Sequence, residues 1–138
     1  MKIFLSTHGK MASGIKSSLD ILMGNTDCLT VYDAYLPDDS GNVREHADAF
    51  FAATPETELK LLISDLYGGS VNQQLVQYID HPNTYIIAGA NLAMLITLIS
   101  SADDNSLTKA DIEQIIADSR QMTKMVSLDF EVETDDFF

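Results

Sequence analysis

The chain has 138 residues, three His and one Cys, and its 8 Lys and Arg stand against 21 Asp and Glu for a net charge of −13. That length fits one domain with a real core, and 46% apolar with 21% charged residues is a globular composition, not a disordered one. The charge excludes phosphate backbones and anionic membrane surfaces, which need Lys and Arg, but it suits a basic protein partner; a single Cys excludes an internal disulfide.

Only Ile3, Phe4 and Leu5 separate Met1-Lys2 from Ser6, Thr7 and His8, which is too short for an apolar signal region. The most apolar stretch, Ile86 to Ile99, is broken by Gly89, Asn91 and Thr97 and falls short of the ~20 residues that span a bilayer. A soluble cytoplasmic protein is expected.

Short apolar runs alternate with segments of helical period. Lys2–Ser6 reads as a buried strand. Met11–Met23 then places Ile15, Leu19, Ile21, Leu22 and Met23 largely on one side of a helix, closed by Gly24-Asn25. Cys28–Leu36 is rich in β-formers and stops at Pro37-Asp38-Asp39. Ser40–Ala53 has Val43, Ala47, Phe50 and Phe51 at helical spacing, and Leu59–Ser64 is a short strand ending at Asp65. After Gly68-Gly69, Ser70–Ile79 carries Val71, Leu75, Val76 and Ile79 on a helical face, and His81-Pro82-Asn83 breaks it before the strand Thr84–Ala88. Leu92–Ile99, apolar nearly all round, predicts a buried helix. Ser106 or Thr108 caps a further helix through Thr123, with Asp111 and Glu113 in its first turns. The Met residues at 11, 23, 94, 122 and 125 read as packing residues. Val126–Val132 alternates strictly and predicts a half-buried edge strand.

This alternation predicts one α/β domain: a doubly wound, mainly parallel sheet flanked by helices over residues 1–124. Residues 125–138 would form a C-terminal antiparallel edge strand and an acidic tail. Such folds place their chemistry at the carboxyl ends of strands, near a topological switch point. That narrows the search to Thr7-His8-Gly9, the Leu36–Ser40 loop, Asp65–Ser70 and Gly89–Asn91.

His8 directly follows the first strand and precedes a helix, a position where backbone N–H groups favour negative charge. A neutral imidazole is a competent nucleophile toward phosphorus or acyl groups; the competing reading is a surface or capping histidine. Asp65 ends the third strand, which in a common doubly wound order neighbours the first. A carboxylate there would fix the tautomer of His8, or would merely cap a helix. Gly68-Gly69-Ser70 permits a tight turn whose N–H groups and hydroxyl can hold phosphoryl oxygens, although Gly-Gly before a helix is also ordinary turn chemistry. Gly89-Ala90-Asn91 offers further contacts or an N-cap. His46 and His81 read as solvated, and Asp103-Asp104 and Asp135-Asp136 as solvated turn and tail without metal-ligand spacing. GxxxxGK[ST], GxGxxG and GxSxG are all absent.

Taken together, three blocks resemble the IIA domain of the mannose family (mannose, fructose, sorbose and N-acetylgalactosamine group) of the phosphoenolpyruvate-dependent sugar phosphotransferase system. The first is S-T-H-G followed by KMASGIKSSLDILMG (Lys10–Gly24). The second is LLISDLYGGS (Leu61–Ser70), and the third is IIAGANLAML (Ile86–Leu95). They stand in the family's order at the right strand ends. The resemblance implies that His8 accepts phosphate from the phosphocarrier HPr and passes it to a histidine of a IIB component, and through it serves the membrane IIC/IID permease. Asp65 would be the paired carboxylate, with Thr7, Gly9, Gly68, Gly69, Ser70 and Asn91 lining the phosphoryl site. It further implies no metal or organic cofactor, and a homodimer in which the C-terminal strand crosses to the partner. Val71, Gln73 and Ala93 stand where the family often has Pro, Asn and Pro, departures that bear on loop rigidity and partner choice. The Tyr32–Ser40 stretch matches no block.

Two rivals differ in chemistry. A receiver-type signalling domain would carry phosphate on Asp65, but it needs an acidic pair after strand one and a lysine after strand five. Here strand one ends Thr7-His8, and residues 130–138 contain no lysine. A phosphorylatable regulator that acts by binding another protein would use the same His8.

Overall fold

The computed structural model of the protein describes residues 1–103 and 105–128. Four strands, β1 (Lys2–His8), β2 (Leu29–Ala34), β3 (Lys60–Ser64) and β4 (Thr84–Ala88), form an all-parallel sheet in the order β2-β1-β3-β4. Between and after them run α1 (Met11–Met23), α2 (Val43–Ala53), α3 (Ser70–Val76), α4 (Leu92–Ser100) and α5 (Lys109–Gln121). Continuous apolar runs in the central strands require cover on both faces, because successive side chains point to opposite sides. Ile3, Leu5, Leu61 and Ile63 pack with Leu19, Leu95, Leu98 and Ile112 of α1, α4 and α5. Phe4 and Leu62 pack with Val43, Ala47, Phe50, Val71 and Leu75 of α2 and α3 on the opposite face.

Local chemistry sets the helix ends. Gly24 closes α1 at φ +78°. Asn42 and Asn91 cap α2 and α4 by accepting from Glu45 N and Met94 N, and Thr108 with Asp111 forms a capping box on α5. From β1 the chain moves through α1 to β2 on one side, then crosses through α2 to β3 on the other side of β1. The carboxyl ends of β1 and β3 therefore flank the switch point, the crevice where open α/β sheets bind ligands.

Several expected boundaries shift for identifiable reasons. β1 extends two residues beyond Ser6 because Thr7 and His8 pair in register with Asp33 and Ala34. β2 stops at Ala34 because Tyr35 turns to φ +66°. α2 starts at Val43 behind its Asn42 cap, α3 ends at Val76 rather than Ile79, and Thr108 rather than Ser106 caps α5. Ile21 is 84% exposed, so α1 packs through Ala12, Ile15, Leu19 and Met23 instead. Met11, Met122 and Met125 are likewise exposed, while Met94 is buried and Met23 packs against the core. Of the expected strand Val126–Val132, residues 126–128 belong to no strand and Val126 and Leu128 are exposed; residues 129–132 lie outside the described residues, as does the acidic tail.

Lys60, hidden in the apolar run of β3, is 2% exposed. Its ammonium donates to the carbonyls of Glu58 at 2.7 Å, Glu56 at 3.2 Å and Pro55 at 3.4 Å, pinning the loop that enters β3. Burial holds this ammonium below the ordinary lysine range, against the opposing pull of Glu56 and Glu58. Lys60→Met keeps the stem's bulk but strands three carbonyls, so urea denaturation is expected to register a loss of about 2 kcal/mol. A loss within experimental error would mean that the loop holds itself.

Candidate functional site

His8 is the last residue of β1, and its side chain is 44% exposed at the carboxyl edge of the sheet. Asp65 follows β3 directly, with its side chain only 10% exposed. The β1–β3 pairing, Ser6 opposite Ser64, carries both residues to the same tip. One carboxylate oxygen, Oδ2, accepts from the His8 backbone N–H at 2.9 Å and meets the ring at Nδ1 at 2.8 Å. The other, Oδ1, accepts from Leu66 N at 3.0 Å. With an acceptor-only carboxylate at Nδ1, that nitrogen carries the proton of the neutral ring and the lone pair lies on Nε2. Ser70 Oγ, at the start of α3, stands 3.2 Å from Nε2.

Burial pushes the Asp65 carboxyl up, but the backbone and ring of His8 outweigh it and hold it below the ordinary 3.8. Because the folded value lies below the unfolded one, the stabilisation is full above about 3.8 and is lost as pH falls through the folded value. Glu58, held below 4.5 chiefly by the Met1 ammonium 2.8 Å away, acts in the same direction. Unfolding free energy is therefore expected to decline on acidification below about pH 4.5, and Glu58→Gln is expected to flatten the decline in a urea-denaturation series at constant salt.

The other expected site residues divide. Gly69 lies beside the imidazole: an added Cβ would come within 3.2 Å of Leu66 Cβ and 3.3 Å of Leu66 O, and 3.9 Å from His8 Cε1. A side chain at position 69 would therefore crowd Leu66 and make ordinary van der Waals contact with the imidazole. Thr7 is fully buried, and its hydroxyl accepts from Ala12 N at 2.8 Å, ordering the start of α1. Gly9, at φ +61°, gives its N–H to Ala34 O. Gly68 donates to Asn72 Oδ1 at 3.0 Å and accepts from Gln73 Nε2 at 2.9 Å. Asn91 is engaged in capping α4. These four groups thus shape the loops, whereas Asp65, Gly69 and Ser70 stand around the ring. Gln73, one of the departures from the family pattern, secures the Gly68 turn directly, and Val71 is fully buried.

Of the remaining histidines, His46 stacks on Tyr32 at 3.8 Å between centroids and His81 packs on Phe51 at 4.5 Å. Tyr35 carries no signal in the sequence that marks it as a site residue. Its ring centroid lies 5.2 Å from that of His8, and its hydroxyl donates to Ser70 Oγ at 2.9 Å. Gln74, which donates to Tyr35 at 3.1 Å, is equally hidden; its only signal is its place one turn after Ser70. Among the described residues, no helix is long and apolar enough to cross a membrane.

Comparison with known proteins bears on this arrangement. No curated protein matches the sequence. Among solved structures, a Klebsiella pneumoniae protein assigned to a phosphoenolpyruvate-dependent sugar phosphotransferase system permease is similar, with a TM-score of 0.79 and 22% identity over 90% of this chain and 89% of that one. The mannose/sorbose-specific IIA subunit from Enterococcus faecalis gives 0.77 and 20% identity over 95% and 98%. The EIIA component from Streptococcus agalactiae gives 0.74 and 22% over 90% and 95%. At these identities the likeness establishes the fold. The sequence pattern of the family described as PTS system fructose IIA component matches residues 2–116, and on that match the chain belongs to this family of sugar phosphotransferase-system components.

Proposed function

We propose that the protein is a phosphohistidine carrier in which His8 Nε2 takes a phosphoryl group from HPr and delivers it to a IIB component, and through it to a membrane IIC/IID permease. The observation that carries this reading is the Asp65 carboxylate 2.8 Å from His8 Nδ1, at an exposed strand tip in the switch-point crevice. The Nε2 lone pair forms the new N–P bond in line, while the donor's N–P bond breaks and its electron pair returns to the donor imidazole. No proton leaves His8, because the Nδ1 proton stays on the ring, donated to the Asp65 carboxylate throughout. Positive charge gained by the ring meets a fixed carboxylate, so positioning and electrostatics supply the catalysis. A net charge of −13 favours encounter with a basic donor.

Incubation with phosphoenolpyruvate, enzyme I and HPr is expected to yield an acid-labile, base-stable phosphoprotein that loses its label when a IIB component is added. An acid-stable, base-labile adduct would shift the chemistry to Asp65 and overturn the reading. Label that reaches His8 but moves to no IIB component would assign the protein a regulatory role instead.

A further inference from the structure

Tyr35 adopts a left-handed backbone, φ +66°, which L-residues avoid and which persists only where surrounding contacts hold it. The turn brings a ring that is 58% exposed over the carboxyl edge, tilted 37° to the His8 imidazole. Gln74 Nε2 donates to the Tyr35 hydroxyl at 3.1 Å, and Tyr35 donates to Ser70 Oγ at 2.9 Å. Each hydroxyl has one proton. With the Tyr35 proton committed to Ser70, the Ser70 oxygen is already an acceptor and its own proton is directed at His8 Nε2, 3.2 Å away. The donors thus run in one direction, from Gln74 through Tyr35 and Ser70 to Nε2.

Building on the carrier reading of His8, we infer that Tyr35 is a positioning residue that orients the Ser70 hydroxyl, toward Nε2 in the resting protein and toward a phosphoryl oxygen once the N–P bond has formed. The hydrogen bond from Ser70 occupies the lone pair that must attack phosphorus, so it has to change acceptor during transfer. A serine hydroxyl without a fixed neighbour rotates among whatever acceptors and water surround it. Held by Tyr35, it keeps its proton on the side where the new oxygens arrive. The exposure of Tyr35 is consistent with this role: a ring anchored by its hydroxyl and by contact with imidazole stays at the site without being buried in the core.

The test combines Tyr35→Phe, Ser70→Ala and the double variant, which separates action through Ser70 from an independent effect. Phosphoryl uptake from phosphorylated HPr is measured for maximal rate and KM, and the His8 Nε2 resonance is followed by 15N NMR in unphosphorylated protein. Tyr35→Phe is expected to lower the maximal rate about fivefold, the scale of one neutral hydrogen bond, with KM unchanged. It should add no further loss in the Ser70→Ala background, and it should move the Nε2 resonance in the direction that Ser70→Ala moves it. An unchanged rate, a loss confined to KM, or losses that multiply in the double variant would overturn the inference. If the wild-type protein takes no phosphoryl group, the carrier reading fails by itself. The Nε2 resonance then still decides: unmoved by Tyr35→Phe, it sinks the orientation of Ser70, and moved, it sustains it.

Discussion

A His8→Ala protein is expected to take up no acid-labile phosphate under conditions that label the wild-type chain to completion. The ring has no substitute at the site. His46 lies face to face with Tyr32 and His81 packs against Phe51 and Tyr78, each on the aromatic surface of another element. The fold should survive the change, because the His8 side chain is 44% exposed and the backbone N–H at position 8 still reaches Asp65. Thermal melts should agree with wild type to within a few degrees, as is usual for substitutions outside the core. Residual acid-labile label in this variant would place the phosphoryl group on another histidine and end the proposal.

Asp65→Asn is expected to slow uptake by about a hundredfold, the scale set by removing one preorganised charge-stabilising group. The geometry makes the amide a poor replacement in either orientation. With its oxygen toward His8, the amide keeps both contacts that Oδ2 now makes, but its NH2 then faces the N–H of Leu66 that Oδ1 now accepts. With its oxygen toward Leu66, the NH2 faces two donors at His8, and the ring must move its proton to Nε2, which removes the attacking lone pair. The first orientation requires no change of tautomer, so the ring should keep its proton on Nδ1 and lose chiefly the negative charge that offsets the cationic phosphohistidine. Uptake rates from phosphorylated HPr, compared at equal fractions folded, test this. Wild-type rates in the variant would show that the carboxylate orders the loop and takes no part in transfer.

Much of this site is legible in the amino-acid sequence. The placement of His8 and Asp65 at strand ends follows from short-range signals: apolar runs too short for helices, turn residues directly after them, and helical periodicity resuming beyond. The sequence also leaves an N-cap open as one role for Asn91, and its hydrogen bond to Met94 N is that role realised. Thr7 shows the limit. As a polar residue beside His8 it reads as a candidate ligand, yet β1 runs two residues further than expected and buries it, so its hydroxyl serves α1. Lys60 illustrates the same limit within β3, where a charge inside an apolar run is explained only by three carbonyls that the folded loop presents.

The order of elements and the continuous apolar strands were determined by the sequence itself, because periodicity and turn chemistry act over a few residues. The meeting of His8 with Asp65, 57 residues apart, was decided by β3 pairing beside β1. The Gln74, Tyr35, Ser70 relay was likewise decided by tertiary structure, since it requires residues from two separate segments and a left-handed tyrosine whose backbone angle no local pattern specifies. Short-range preferences choose what each segment becomes, whereas hydrogen bonds between strand tips depend on which tips the packed sheet sets side by side.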